Sequence, residues 1–411
     1  MYRRDFLSLL PAGLLVPGEL LATRTHPFRI RTITAGVPLV LDGWEEQLQQ
    51  TVTFLRDARA EYQQQDYEVQ TLRIATQPLP DYLGDWLSPQ GLQVIAELDV
   101  FCDQHEIVMS VGPVISSNQY EPELADWAAE LIRTTRHISF TVGVASLDGG
   151  IHPGAIRSAA ETIAAIAQTS ASGEGNFSFA ATAHCPPGTP FFPAGWHQGA
   201  PSFAIGLETP PLLLAAVKSL PENVSAGRHI AMTMDTAFAP VQSLAEKIAR
   251  RTGRSYGGID ASPAPGPDAS IGEVIEALTG APFGSASTLS ACASITDALK
   301  NLRVKTCGYS GLMLPVLEDK VLAKRAAEGR YGISELLLYS SVCGTGLDVV
   351  PIAGDSSAES MASVIGDVAA LSNKYQKPLS ARLFPVPGKS AGDSVSFNNP
   401  FLTDSVVMPL D

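Results

Sequence analysis

Short apolar runs alternate with longer amphipathic ones along most of this chain. The pattern predicts a strand over 28–34, then a helix over 44–64 with Leu48, Val52, Leu55 and Ala58 on one face. Further strands are predicted at 72–75, 107–111, 137–144 and 177–183, interleaved with helices at 91–105, 122–134 and 154–169. In the second half the pattern predicts a helix over 240–251 with Pro240 in its first turn, a strand over 256–259 and a proline-rich turn over 261–268. A helix over 270–279 follows, with Ser270 as N-cap and Glu273 at the capping-box position. Helices at 288–302, 318–328 and 360–375 and a strand at 379–385 complete the series, with an apolar run at 312–317 and a stretch at 333–341 that leads to the Cys343 loop. Short apolar strands separated by long helices define an α/β fold with buried strands. No flexible linker interrupts the series. The expectation is a single α/β domain over 28–411, with lobes of about 28–255 and 256–411.

One segment breaks the alternation. Cys185-Pro186-Pro187-Gly188-Thr189-Pro190-Phe191-Phe192-Pro193-Ala194-Gly195-Trp196-His197 has four prolines and no helical period. It reads as a stiff loop carrying aromatic side chains, and such loops often carry function.

Composition narrows the function classes. The net charge is −14 and no Lys/Arg-rich block occurs, which excludes an ordinary nucleic-acid surface. The five cysteines (102, 185, 292, 307, 343) have no CxxC or CxxH spacing, so neither a structural zinc site nor a disulfide framework is expected. Cys102 and Cys292 fall in helical patterns and read as core. At the N-terminus, Arg3-Arg4-Asp5-Phe6-Leu7 precedes a weakly apolar stretch to Ala22. Segment 1–22 resembles a twin-arginine export signal, which points to an exported protein; the alternative is a short amphipathic extension on a cytoplasmic one. Glu19 and two prolines make it a poor membrane anchor.

Candidate chemistry gathers in loops. Cys307 and Cys343 each lie beside glycine, in Cys307-Gly308-Tyr309-Ser310-Gly311 and Val342-Cys343-Gly344-Thr345-Gly346. A glycine neighbour permits the tight turns that present a side chain to a ligand. Catalysis by either thiol needs a thiolate, and Cys343 is the nucleophile candidate. His152 opens a helix after a glycine-rich turn, and His184 and His197 flank the proline-rich loop. Asp260 ends a predicted strand, where ligands collect in α/β sheets. Glu318, Asp319 and Asp348 are candidates to hold a divalent cation, against the reading that Glu318 and Asp319 start a helix. Arg382 and Lys389 follow near the last strand. Gly388-Lys389-Ser390 lacks the glycine five residues earlier that a phosphate-binding loop requires, because Leu383 stands there.

These segments, taken with Arg31-Thr32-Ile33-Thr34, Phe177, Asp260-Ala261-Ser262-Pro263, the run Cys307 to Asp319, Ser340 to Asp348 and Pro385-Val386-Pro387-Gly388-Lys389-Ser390-Ala391-Gly392-Asp393, resemble domain-of-unknown-function family 711. The resemblance runs from about residue 28 to the C-terminus. It implies a pyruvate formate-lyase-like fold, a ten-stranded α/β barrel of two halves wrapped by helices. In glycyl-radical enzymes of that fold, a glycine loop and a cysteine loop meet inside the barrel. Carried over, the glycine position is Gly308 and the thiyl position Cys343. Lys305 replaces the usual arginine, and the glycine loop precedes the cysteine loop, so the radical reading departs from the pattern.

The expectation is an enzyme, hydrolase or lyase, acting on a small molecule in the barrel interior. Cys343, Cys307 and Gly308 would be catalytic; His152, Cys185, His197, Asp260, Arg382 and Lys389 would bind substrate. The alternatives are an extracytoplasmic small-molecule binding protein and a structural Cys307–Cys343 disulfide. The cofactor, a divalent cation and homo-oligomer formation stay open.

Overall fold

Ten strands share one mixed sheet in the computed structural model, which describes residues 26–170, 172–266, 268–342, 344–397 and 399–410. Segment 1–22 and Cys343 lie outside the described residues. The strands are β1 (Arg29–Val37), β2 (Val69–Thr76), β3 (Val108–Ile115), β4 (Ile138–Ser146), β5 (Gly150–Ile151), β6 (Phe179–Ala183), β7 (Ser202–Glu208), β8 (Ser255–Asp260), β9 (Gly346–Ala353) and β10 (Leu379–Val386). Their order is β8-β7-β1-β2-β3-β4-β6-β10-β9, with β5 paired to β4. β1, β2, β3, β4 and β6 run parallel to one another. β7 and β10 pair antiparallel to the two ends of that block, and β8 and β9 continue them in parallel. Strands from both predicted lobes therefore share the sheet.

The helices are α1 (Trp44–Gln63), α2 (Pro89–His105), α3 (Leu124–Thr134), α4 (Pro153–Ala167), α5 (Pro210–Lys218), α6 (Ala226–Thr252), α7 (Ile271–Thr279), α8 (Thr288–Lys300), α9 (Lys320–Ala327), α10 (Ile333–Val342) and α11 (Ala358–Tyr375). They pack on one face of the sheet. Ile33, Ile74, Met109, Val142, Ile205 and Leu383 join Leu48, Val52, Ile95, Leu131, Ile163 and Ile365 in a single buried cluster. Each such side chain contributes about 1.5–3 kcal/mol on burial.

The alternate strand positions are polar or small, and they too are buried. Thr32, Thr34, Ser110, Thr141, Glu208, Asp260, Ser380 and Arg382 all fall below a tenth exposed. A polar face buries only if something supplies hydrogen bonds, and here two loops do. The Thr34 and Ser110 hydroxyls donate to the carbonyls of Pro190 and Pro193 in the proline-rich loop, at 2.9 and 3.3 Å. The second loop, 305–316, leaves the β8 edge and reaches the β9 edge. Thr306 bridges in parallel to Ile259, and Pro315 to Asp348.

Several elements differ from the sequence-based expectation. Strand β7 and helix α5 emerge from 201–218, where no element was expected, and β9 follows the Cys343 loop as a strand. Pro240 sits inside α6, not in its first turn. An interior proline costs about 3 kcal/mol. Ile230, Met234, Phe238, Val241, Leu244 and Ile248 form one continuous buried stripe across it, and that burial outweighs the lost hydrogen bond. Ser270 caps α7 as expected, accepting from Glu273 N at 3.0 Å.

Candidate functional site

Asp260 organises the glycine loop. It ends β8, is wholly buried and accepts four hydrogen bonds. Ser262 supplies its hydroxyl (2.6 Å) and its N–H (3.0 Å); the Tyr309 and Ser310 N–H groups supply the others at 2.9 and 3.0 Å. Burial pushes this carboxyl upward, and the hydrogen bonds work against that shift. Gly308 has φ +61°, and a Cβ there would collide with Asp260 Oδ2, so glycine is required on both counts. The Cys307 N–H pairs with the Ile259 carbonyl at 3.0 Å. Burial holds the Cys307 thiol well above its ordinary range, with Asp260 adding to the effect, so it is protonated at neutral pH.

The glycine loop then meets the backbone that follows Cys343. Gly311 and Gly344 approach so closely that a Cβ on either would collide with the other's Cα. The Gly344 N–H and the Thr345 hydroxyl both donate to the Leu312 carbonyl, at 3.4 and 3.2 Å. The two loops therefore converge in space.

The proline-rich loop supplies the third wall. Cys185 lies 3.5 Å from the Thr189 hydroxyl and 3.6 Å from the Ala194 carbonyl. Burial pushes its thiol up to about 11. The Tyr309 ring enters from the glycine loop. Its buried hydroxyl lies against Cys185 and Ser380 without a hydrogen bond of ordinary geometry, and its own pKa is raised, first by burial. Two of the three histidines singled out in the sequence are fastened into the wall. His152 is held by the Gly143 carbonyl (3.0 Å) and the Ser146 hydroxyl (3.1 Å). His197 is held by the Gly199 carbonyl (2.9 Å), with Ser202 at 3.4 Å, and burial keeps it neutral.

Beyond Tyr309 lies a charged group. Arg382 on β10 pairs with Asp348 at 2.8 Å and with Glu318 at 3.4 Å, and donates to the Phe177 carbonyl at 3.1 Å. Burial raises the Glu318 carboxyl, and Asp348 adds to the rise while Arg382 opposes it. Arg73 on β2 and Arg31 on β1 complete the group; Arg31 lies 3.5 Å from Glu208. Each guanidinium lies over a phenyl ring: Arg382 over Phe177 (4.9 Å), Arg73 over Phe192 (5.1 Å) and Arg31 over Phe401 (5.4 Å).

The expected cation site from Glu318, Asp319 and Asp348 is not the arrangement found. Arg382 stands between Glu318 and Asp348, where a cation would sit. Asp319 turns the other way: one oxygen accepts from Ser270, Val321 and Leu322, the other from the N–H groups of Ile271 and Gly272. It caps α7 and α9 together. Among the described residues, no three His, Cys, Asp or Glu side chains gather as a metal-binding group. Lys389 is exposed in the turn after β10, apart from this group. A surface cavity of about 360 Å³ lies instead between α1 and α6, lined by Phe54, Asp57, Ile248 and Arg254, on the helical side of the sheet.

The sequence brought forward Cys307, Gly308, Cys185, Asp260, Arg382, Glu318 and Asp348, and the structure gathers these. It missed Arg73, Phe192 and Tyr309 as site residues. The available signal was Thr71 and Arg73 alternating with Leu72 and Ile74: a charged residue in a strand with predicted strands and helices on both sides.

A mixed α/β protein with a polar, loop-covered sheet face is thus defined. The profile of the family described as Uncharacterised ACR (DUF711) matches residues 22–398, and the chain belongs to that family. A UPF0210 protein of Pyrobaculum aerophilum is 34% identical over 283 residues, covering 66% of this chain and 62% of that protein. One from Pyrobaculum arsenaticum is 31% identical over 343 residues, covering 79% and 75%. One from Syntrophobacter fumaroxidans is 29% identical over 357 residues, covering 82% and 78%. Among the described residues, no helix is long and apolar enough to cross a membrane.

Proposed function

We propose that this protein is an enzyme, a hydrolase or lyase, acting on a small molecule at the polar face of its sheet. One observation carries the reading. Cys185, Tyr309, Glu318, Asp348 and Arg382 come from four separate segments to one buried place. Burying such groups costs stability, and catalytic sites are where proteins accept that cost. Glu318 is the proton carrier in this reading, held by Arg382 and raised by burial. Cys185 and Cys307 are protonated thiols, so nucleophilic cysteine chemistry would rest on Cys343. The Asp260 and Pro190 contacts of Gly308 favour a structural glycine over a radical one.

The site would lie inside a closed barrel. β7, β8, β9 and β10 run together, opposite to the five-stranded block, and loop 305–316 touches both open edges in parallel. That loop would fill the missing position of the second half.

The test is turnover by the purified protein across small esters, amides, hydroxy acids and phosphorylated acids. Activity that falls at least about 100-fold in Glu318→Gln, with folding intact, supports the reading. Activity unchanged in that variant removes Glu318. Saturable binding with no product supports an extracytoplasmic binding protein instead. Export is favoured by Arg3-Arg4, since the family match begins at residue 22, where the signal-like stretch ends.

A further inference from the structure

Among the arginines that line this face, Arg73 stands out for what it lacks. Arg29 has Glu68 (2.7 Å), Glu208 (2.6 Å) and Asp268 (2.8 Å); Arg31 has Glu208; Arg382 has Asp348 and Glu318. Arg73 forms no ion pair with any described residue. Its Nε donates to the Thr71 hydroxyl at 3.2 Å, and its plane lies over Phe192. That leaves the Nη edge of the guanidinium without a described protein acceptor, although Arg73 sits among buried groups and is only partly exposed.

The field around it is set by three groups: Arg31, Glu318 and Arg382. Two of these are cations, and both existing carboxylates are claimed by Arg382. Burial first, then Arg31, holds the Arg73 pKa below the ordinary arginine range. A second donor points the same way. Arg382 Nε is buried and has no partner. A stacked, planar guanidinium with a free fork matches an oxyanion, which would supply both the missing acceptors and the missing charge.

We infer that the ligand of this site carries an oxyanion, a carboxylate or a phosphate, and that Arg73 grips it with its Nη edge while Phe192 holds the guanidinium plane. The inference rests on the site proposed above and adds the substrate class. Arg31 adds attraction from one side. Glu318 lies within the same field, so the anion would be held beside the proposed proton carrier.

Titration calorimetry and thermal melts on the full protein test this, with acetate, succinate and inorganic phosphate as probes. Wild-type protein should bind at least one probe saturably and melt higher in its presence. Succinate or acetate alone marks a carboxylate ligand; phosphate alone marks a phosphate ligand. Arg73→Met should weaken binding about 10- to 100-fold. Without a probe it should melt no lower than wild type, since it loses like-charge repulsion. Arg73→Lys keeps the charge without the fork and should fall between the two. Probes that bind Arg73→Met as tightly as wild type, or that leave wild type unmoved, overturn the inference. The enzyme reading fails separately: anion binding without turnover keeps Arg73's role and removes catalysis, and turnover indifferent to Arg73→Met does the reverse.

Discussion

Gly311 and Gly344 pack backbone against backbone, with no room for a side chain on either. This contact joins the glycine loop to the chain that follows residue 343. Gly311→Ala should therefore destabilise the protein by about 1–3 kcal/mol, as overpacking does. Gly366 in α11 has open space at its Cβ position, and Gly366→Ala should stabilise by about 0.5–1 kcal/mol. Urea denaturation of the two variants should show shifts of opposite sign.

Asp319 ties two helices at one point. Asp319→Ala leaves the first N–H groups of α7 and α9 and the Ser270 hydroxyl without an acceptor. The expected loss is about 2–4 kcal/mol, larger than for an ordinary N-cap. Adding magnesium, manganese or zinc to the wild type should not raise its melting temperature through this residue, because both oxygens are already committed. A cation-dependent rise abolished in Asp319→Asn would contradict the capping role.

Arg382 separates two carboxylates. Arg382→Ala should cost about 3–5 kcal/mol at pH 8, since it strands Asp348 and Glu318 together in a buried place. The loss should shrink toward pH 5. Glu318 is raised by burial, so it takes up a proton readily as pH falls and the repulsion disappears. A pH-independent loss would mean that packing against Phe177, not charge, is what Arg382 contributes.

Cys185 predicts an alkaline slope. Its thiol is raised from 9.0 to about 11 in the folded protein. Below pH 9 it is protonated in both folded and unfolded chains and adds no pH dependence. Between 9 and 11 the unfolded chain loses the proton and the folded one keeps it, so stability falls as pH rises. The slope reaches at most about 1.4 kcal/mol per pH unit. Cys185→Ser should flatten that part of the stability curve, measured as urea midpoint against pH.

Much of the site was legible in the sequence as loops: a cysteine beside glycine at 307, prolines and aromatics at 185–197, and Asp260 at a strand end. The roles were less legible. Asp319 and Glu318 are adjacent in the chain, yet one caps two helices and the other faces Arg382, because successive residues point apart. His152 and His197, expected to bind substrate, hydrogen-bond to the Gly143 carbonyl and Ser146 hydroxyl and to the Gly199 carbonyl, contacts no local pattern specifies.

By itself, the sequence determined the α/β alternation, the Ser270 cap, the buried Cys102 and Cys292, and the places where regular structure stops. Those are local properties, written in periodicity and turn chemistry. Tertiary structure decided which face of each strand would be covered and by what. Arg73 is a charged residue in a predicted strand, and it becomes a partly buried cation because the loop carrying Phe192 crosses over it. Arg382 meets Asp348 and Glu318 from 34 and 64 residues away. Contacts of that range arise from strand order, and strand order is not encoded in any local stretch.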